Sequence, residues 1–249
     1  MVDLMQKVAI VTGGGSGIGE SIAREFAREG AKVVVSDVNN TLGSQVVRDI
    51  CEEGGEASYY SCNVVKPEEV EQLVQFAVDT YGGLNVMVNN AGIGGDQLPT
   101  ADYPIESWKL VIDVNLNGVF FGTKYAIPAI LESGGGSIIN IASILGSVGF
   151  PNAAAYVAAK HGVVGLTKTS AMEYSALGVR INAVGPAFIK TPLLDGLDDE
   201  MQDMLVQMHP IGRLGQPNEV AELVTWLASD KASFCTGAYY PIDGGYLTR

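Results

Sequence analysis

The run Lys7-Val8-Ala9-Ile10-Val11-Thr12 passes directly into Gly13-Gly14-Gly15-Ser16-Gly17-Ile18-Gly19, and this junction decides how the chain is built. An unbroken apolar run of this length reads as a parallel strand buried on both faces. Beyond the glycines, Ile18, Ile22, Phe26 and Ala27 recur at helical spacing, and Gly30 stops the helix. A strand, a glycine-rich turn and a helix in that order let the backbone approach a pyrophosphate. They also aim free N–H groups and the positive end of the helix dipole at it. No Gly-Lys-Ser/Thr comes next, so the turn is not a P-loop.

The same alternation repeats outward from this unit. Strands are expected at 32–36, 58–62, 84–88, 137–142, 180–184 and 238–242. Helices are expected at 17–29, 41–53, 67–81, 105–131, 154–176 and 217–228, the fourth bent near Gly118 and Pro128. Residues 187–216 show no strand pattern, hold two short helices and read as a substrate lid. Alternating strands and helices with right-handed crossovers give an α/β fold. The expectation is one domain over 1–249, a Rossmann-type doubly wound parallel sheet of seven strands in the order 3-2-1-4-5-6-7, flanked by helices. Ligands in such sheets lie at the carboxyl ends of the strands, near the switch between strands one and four.

Bulk properties narrow the function. The hydrophobic fraction of 47% is ample for a sheet covered on both sides. A formal net charge of -13 repels phosphate backbones, so nucleic acid is not an expected partner. No apolar stretch is long enough to span a bilayer, so no membrane partner is expected. Met1, Val2, Asp3, Leu4 and Met5 lack a basic start and apolar core, so a cytoplasmic location is expected. Cys51, Cys62 and Cys235 are odd in number and not in metal spacing; they read as reduced thiols. His161 and His209 have no second ligand spaced for them, so no metal and no catalytic role is assigned to either. Trp108 and Trp226 read as packing residues, and the acidic stretch 195–203 as a solvated face.

Asp37 stands just past the second strand. A carboxylate there can accept the adenosine ribose hydroxyls and would repel a 2′-phosphate. Val38 and Ser16 offer no local cation to hold that phosphate, which favours NAD over NADP. The competing role for Asp37 is capping the next helix. Asn63 and Val64 come after the third strand and are placed to meet the adenine edge. Asn89-Asn90-Ala91-Gly92 comes after the fourth strand, where small residues would let the ribose lie against the backbone. An ordinary Asn/Gly turn is the alternative there.

Tyr156 and Lys160 are four apart in an expected helix and share one face. A phenol with a pKa of about 10 is a poor base near neutrality, and a nearby ammonium favours the phenolate. The pair is therefore a plausible acid/base for hydride transfer, in which a carbonyl oxygen gains a proton as its carbon gains hydride. A surface tyrosine beside a solvated lysine is the plainer alternative. Ser143, after the fifth strand, can hold the substrate oxygen or merely cap a turn. Asn115, a poor helix former inside a helix, suggests a polar task or a buried bond to backbone.

Taken together, these residues resemble the classical short-chain dehydrogenase/reductase family over nearly the whole chain. The resemblance is carried in order by residues 12–19, 89–92, Asn115, Ser143, Tyr156-Val-Ala-Ala-Lys160, Pro186 with Thr191, and Asp243-Gly-Gly245. It implies that Tyr156 is the acid/base and that Lys160 binds the nicotinamide ribose and biases Tyr156. It implies that Ser143 orients the substrate oxygen and Asn115 holds a water in a proton relay through Lys160. Gly13, Ser16, Gly17, Ile18, Gly19, Asp37, Asn63, Val64, Asn90, Ala91 and Gly92 would then contact NAD. Pro186, Ile189 and Thr191 would contact its nicotinamide. The family resemblance also implies a homotetramer, with the helices 105–131 and 154–176 at one interface. Two departures stand out. Asn63 replaces a common Asp, and Ala187 follows Pro186 where glycine is common; a positive φ at 187 would strain alanine.

The substrate pocket is expected to draw on Ile144, Leu145, Phe150, Leu193, Leu194, Met204 and Met208, with Gly94, Tyr156 and Ala187. This mostly apolar set favours a small-molecule secondary alcohol or ketone, cyclic or otherwise of low polarity. The competing readings are a 3-oxoacyl-thioester reductase, a sugar dehydrogenase and a non-catalytic dinucleotide sensor.

Overall fold

The computed structural model describes residues 4–194 and 198–248, apart from the side chains of Leu193 and Asp199. Seven strands form one parallel sheet in the order β3-β2-β1-β4-β5-β6-β7. They are β1 (Val8–Thr12), β2 (Lys32–Asp37), β3 (Glu56–Ser61), β4 (Val86–Asn89), β5 (Gly136–Ile141), β6 (Val179–Pro186) and β7 (Tyr239–Ile242). The order matches the sequence expectation. Strand ends differ by one to two residues, because pairing partners rather than apolar runs decide where a ladder stops.

The period of two along each strand divides the core. Ala9 and Val11 of β1 face one side, where α1 (Gly17–Arg28), α2 (Asn40–Glu52) and α8 (Pro217–Ala228) bury Ile22, Phe26, Val46, Ile50, Val220 and Val224. Val8 and Ile10 face the other side, against α3 (Pro67–Tyr81), α5 (Gly118–Glu132) and α6 (Ala154–Tyr174). Trp226 packs against the first of these cores, as expected. Trp108 does not fully pack: it is 39% exposed on α4 (Ile105–Ile112).

The helix expected over 105–131 is three pieces. α4 ends at Ile112, a π-helical turn spans Asp113–Asn117, and α5 begins at Gly118. The turn is closed by the Gly118 N–H donating to Asp113 O, an i to i+5 bond. At its centre, the side-chain amide of Asn115 donates to the carbonyl of Val111 one turn earlier. The expected bend near Gly118 therefore has Asn115 at its heart, whereas α5 continues through Pro128.

Segment 187–216 holds a 3₁₀ turn (Pro192–Leu194) and α7 (Asp199–Gln207), the two short helices expected. It is stitched to the sheet at its ends. Ile189 and Gly215 form a parallel bridge, Ala187 N donates to Ile242 O, and Ile211 N donates to Gly244 O. Ala187 is not among the described non-glycine residues with positive φ, so alanine is unstrained there. Within the acidic stretch, Asp198 caps α7 by accepting from Met201 N at 2.8 Å; residues 195–197 lie outside the described residues.

Candidate active site

The carboxyl end of β1 is locked to that of β4 by one hydroxyl. Thr12 Oγ1 donates to Val88 O and accepts from the N–H groups of Asn90 and Ala91. The Asn90 side chain returns the contact, donating to Thr12 O at 2.9 Å and Gly13 O at 3.1 Å. Asn90 thus braces the glycine turn from below. Gly13 has φ +62, and a Cβ there would lie 2.9 Å from Ala91 Cα. A Cβ on Gly19 would strike Gly13 O and sit 2.5 Å from Asn90 Nδ2. Both positions demand glycine on contact grounds, and at Gly13 also on conformation.

Ser16 is the N-cap of α1, but its side chain makes no capping bond. The N–H groups of Gly17, Ile18 and Gly19 in the first turn lack intrahelical acceptors by helix geometry. An anion is the natural partner for that helix end. Asp37 does not cap α2; Asn39 does, accepting from Thr41 and Leu42 N–H. The Asp37 carboxylate instead accepts from Gly15 N at 2.9 Å and Asn39 N at 2.8 Å, which holds it beside the glycine turn. Thr191 reaches the same place from the far side: a Cβ on Gly17 would lie 3.2 Å from its methyl. Open helix amides, a carboxylate at the second strand end and walls with no room for side chains together fit a dinucleotide.

The other assigned positions are placed unevenly. Asn63 Oδ1 accepts from Val65 N at 3.3 Å, a turn role. Val64 is buried in the core beside Gly118, so only its backbone remains for a ligand. Pro186 and Ile189 are buried, and Thr191 is half-buried.

The catalytic candidates gather at the end of β5. Ser143, 8% exposed, caps a short 3₁₀ turn by accepting from Leu145 N at 3.2 Å, and its hydroxyl also faces the Tyr156 phenol. Its carbonyl is held by Tyr239 OH at 2.8 Å. Lys160 is 3% exposed; its Nζ donates to Ile141 O at 2.8 Å and lies 5.4 Å from the Tyr156 ring centroid. Burial pulls the Lys160 pKa down to about 8. Burial also raises the Tyr156 phenol, opposed by its bond with Ser143. The structure therefore departs from the expectation that Lys160 lowers this phenol's pKa: desolvation dominates, and the ammonium is turned toward a carbonyl.

Asn115 is fully buried and its amide is committed to backbone. It accepts from Ile93 N at 3.2 Å and donates to Ile93 O and Val111 O, both at 3.0 Å. It fastens the loop after Gly92 to the π turn. Sequence reasoning missed a second buried chain of polar groups. Asn89 Nδ2 donates to Asn140 Oδ1 at 2.8 Å, and Asn140 Nδ2 donates to Thr167 Oγ1 at 2.9 Å. This ties β4 and β5 to α6, the helix that carries Tyr156 and Lys160. Its visible signal was an Asn inside the apolar run Ser137–Ile141. Among the expected pocket residues, Ile144 and Leu145 are buried, Phe150, Leu194 and Met208 are half-buried, Gly94 and Met204 are exposed, and the Leu193 side chain lies outside the described residues. Among the described residues no cluster of His, Cys, Asp and Glu suits a metal, and no helix is long and apolar enough to cross a membrane.

Residues 13–247 match the family model described as Enoyl-(Acyl carrier protein) reductase. Cyclohexanol dehydrogenase of Acinetobacter sp. (strain SE19) is 51% identical over 98% of this chain and 96% of that protein. 2,5-Dichloro-2,5-cyclohexadiene-1,4-diol dehydrogenase of Sphingobium indicum (strain DSM 16412 / CCM 7286 / MTCC 6364 / B90A) is 42% identical over 99% of each chain. The crystal structure of levodione reductase superposes with a TM-score of 0.93 at 36% identity, covering 97% of both chains. The chain belongs to the short-chain dehydrogenase/reductase family of oxidoreductases.

Proposed function

We propose that this short-chain dehydrogenase/reductase is an NAD(H)-dependent enzyme that interconverts a cyclic or otherwise apolar secondary alcohol and its ketone. The observation that carries the reading is the meeting of Ser143 and Tyr156 at the end of β5, with Lys160 buried on the same helix face. The relatives that act on cyclohexanol and on a cyclohexadienediol support a ring-shaped substrate.

Bound NAD supplies or accepts the hydride. The glycine turn and the α1 N-terminus, through Gly13, Ser16, Gly17, Ile18 and Gly19, would hold the pyrophosphate. Asp37 would accept ribose hydroxyls, and Val38, 67% exposed beside it, offers no cation for a 2′-phosphate. Asn63 and the Val64 backbone would border the adenine, Ala91 and Gly92 the ribose, and Pro186, Ile189 and Thr191 the nicotinamide. In alcohol oxidation the phenolate form of Tyr156 takes the hydroxyl proton and becomes the phenol; in ketone reduction the phenol gives its proton to the oxygen and becomes the phenolate. Ser143 donates to the same oxygen as charge develops. Lys160 supplies a cation that the protein already holds at a reduced pKa. Since the Asn115 amide is bonded to Ile93 and Val111, a relay water would rest on backbone of the π turn rather than on that side chain.

Reduction of an acyl-thioester on a carrier protein is the second reading, which the matched family description favours. Asp37 and the net charge of -13 count against it, since an acidic surface repels an acidic carrier. The expected assembly is a cytoplasmic homotetramer. Leu110, Phe120 and Trp108, respectively 54%, 45% and 39% exposed on α4 and α5, give that interface an apolar surface to cover.

The test pairs NAD⁺ or NADP⁺ with cyclic alcohols, hydroxysteroids and sugars, and NADH or NADPH with a 3-oxoacyl thioester. Faster turnover of cyclic alcohols with NAD⁺ is expected. Preference for the thioester with NADPH would overturn the reading.

A further inference from the structure

The last strand carries two adjacent tyrosines that face opposite sides of the sheet. Tyr240 packs against the core formed with α1, α2 and α8. Tyr239 packs on the other side, against the cluster of Val119, Ala142, Val163 and Ala183. Its ring does not stay over its own strand. Tyr239 pairs with Ala183 on β6, and two residues further along β6 stands Gly185. A Cβ on Gly185 would strike the Tyr239 ring and hydroxyl. The missing side chain leaves the gap through which the ring crosses β6. Beyond that gap the Tyr239 hydroxyl donates to the carbonyl of Ser143 at 2.8 Å, just past the end of β5. A tyrosine on the edge strand thus reaches the candidate active site from two strands away.

The bond lands on a turn whose shape sets where Ser143 points. Ser143 O also accepts from Gly146 N at 2.8 Å, which closes the 3₁₀ turn Ile144–Gly146. With Tyr239 OH, both lone pairs of that carbonyl are engaged. The Tyr239 hydroxyl also faces Ser147, the residue at the other end of the turn. The turn lies against α6 as well, since a Cβ on Gly146 would come 2.9 Å from Lys160 O. It is therefore held from β7 by a phenol and from α6 by backbone contact. The Ser143 side chain leaves from the residue whose carbonyl is bonded twice, so any swing of that peptide would carry its hydroxyl away from Tyr156. Burial raises the Tyr239 phenol above its ordinary value, which keeps the donor proton in place near neutrality.

We propose that Tyr239 is a positioning residue for Ser143: its hydroxyl, reaching across Gly185, fixes the turn that aims the Ser143 hydroxyl at Tyr156. The proposal rests on the alcohol–ketone reading above and adds to it a residue that touches neither substrate nor cofactor.

The decisive variant is Tyr239→Phe, which keeps the ring and its packing and deletes one hydroxyl. Tyr240→Phe makes the same deletion on the opposite face of the same strand and serves as the control. In cyclohexanol oxidation, kcat should fall roughly two- to twelve-fold in Tyr239→Phe, the worth of one neutral hydrogen bond, while KM for NAD⁺ stays unchanged. The Ser143 bond lowers the Tyr156 phenol, so the rise of kcat/KM with pH should also move to higher pH in this variant. Tyr240→Phe should leave both unaltered. Independently of turnover, tyrosine ¹³Cζ NMR on the whole protein reads the Tyr156 phenol, whose signal is the one missing from Tyr156→Phe. That signal should shift at neutral pH in Tyr239→Phe and stay in place in Tyr240→Phe. An unmoved Tyr156 signal with native kcat in Tyr239→Phe, or equal losses of kcat in the two variants, would overturn the proposal and leave the alcohol–ketone reading intact. A Tyr156 shift confined to Tyr239→Phe in a protein that oxidises no alcohol would sink that reading and leave the positioning of Ser143 standing.

Discussion

The turn after β1 and the segment after β6 end at the same edge of the sheet, yet they are built on opposite plans. The first is seven residues of near-contact backbone, braced by Thr12 and Asn90 and intolerant of a side chain at Gly13 and Gly19. The second spans residues 187–215, is pinned at its two ends, and borders a cavity lined by residues that follow β6, residues that follow α7 and the end of β7. An end that grips an invariant ligand can be made of backbone. An end that selects among substrates needs side chains, and therefore a longer chain path to bring them together.

The contrast can be broken most sharply at the boundary between the two. Tyr156→Phe removes the proposed proton carrier and should lower kcat by roughly 100- to 10,000-fold. NAD⁺ affinity, read by calorimetry, should stay within a few-fold. A large loss of affinity would mean that the two ends are not separable.

Lys160 gives a pH signature next in size. Its folded pKa of about 8 lies below the ordinary 10.5, so between those values the unfolded chain holds the extra proton. Stability should therefore rise with pH from about 8, by something on the order of 3 kcal/mol in full. The raised Tyr156 pKa bends the trend downward above pH 10, where the unfolded phenol ionises first. Urea melts at pH 7 to 10 should show the rise in the native protein and a flatter profile in Lys160→Met. Equal slopes would place the Lys160 proton elsewhere.

At the cofactor end, Asp37→Asn should reduce the NAD⁺ over NADP⁺ preference in kcat/KM by roughly 10- to 150-fold, the worth of a charged hydrogen bond. Gly19→Ala forces a Cβ into Gly13 and Asn90 and should cost about 1–3 kcal/mol. In a chain of this size that lowers Tm by roughly 2–12 °C. At the substrate end, Met204→Ala on the exposed face of α7 should move stability by no more than about 0.5 kcal/mol while altering preference among cyclic alcohols. A Tm drop as large as that of Gly19→Ala would show the two plans to be less different than they look.

Much of the proposed cofactor end was legible from the chain alone. Gly13 to Gly19 and Asp37 declare themselves through local spacing and through their place directly after a strand. Tyr156 and Lys160 declare themselves through helical period. The strand order came from the alternation and the handedness of crossovers. Asn115 was legible as a polar demand but not as a bond to Ile93, because that partner comes from a loop 22 residues away. The Asn89–Asn140–Thr167 chain, Tyr239 behind Ser143 and the burial of His209 were hidden for the same reason. Each pairs groups far apart in sequence, and pattern carries no information about which distant residues meet.

The sequence, then, determined the layered fold, the glycine turn and the placing of Tyr156 and Lys160 on one helix face, since these depend on interactions within a few residues along one element. Only the tertiary structure decided that burial raises the Tyr156 pKa against its bond with Ser143, because desolvation depends on everything packed around a group. Only it decided that His209, unremarkable in the chain, ends with one nitrogen fixed to α7 and the other buried without a partner.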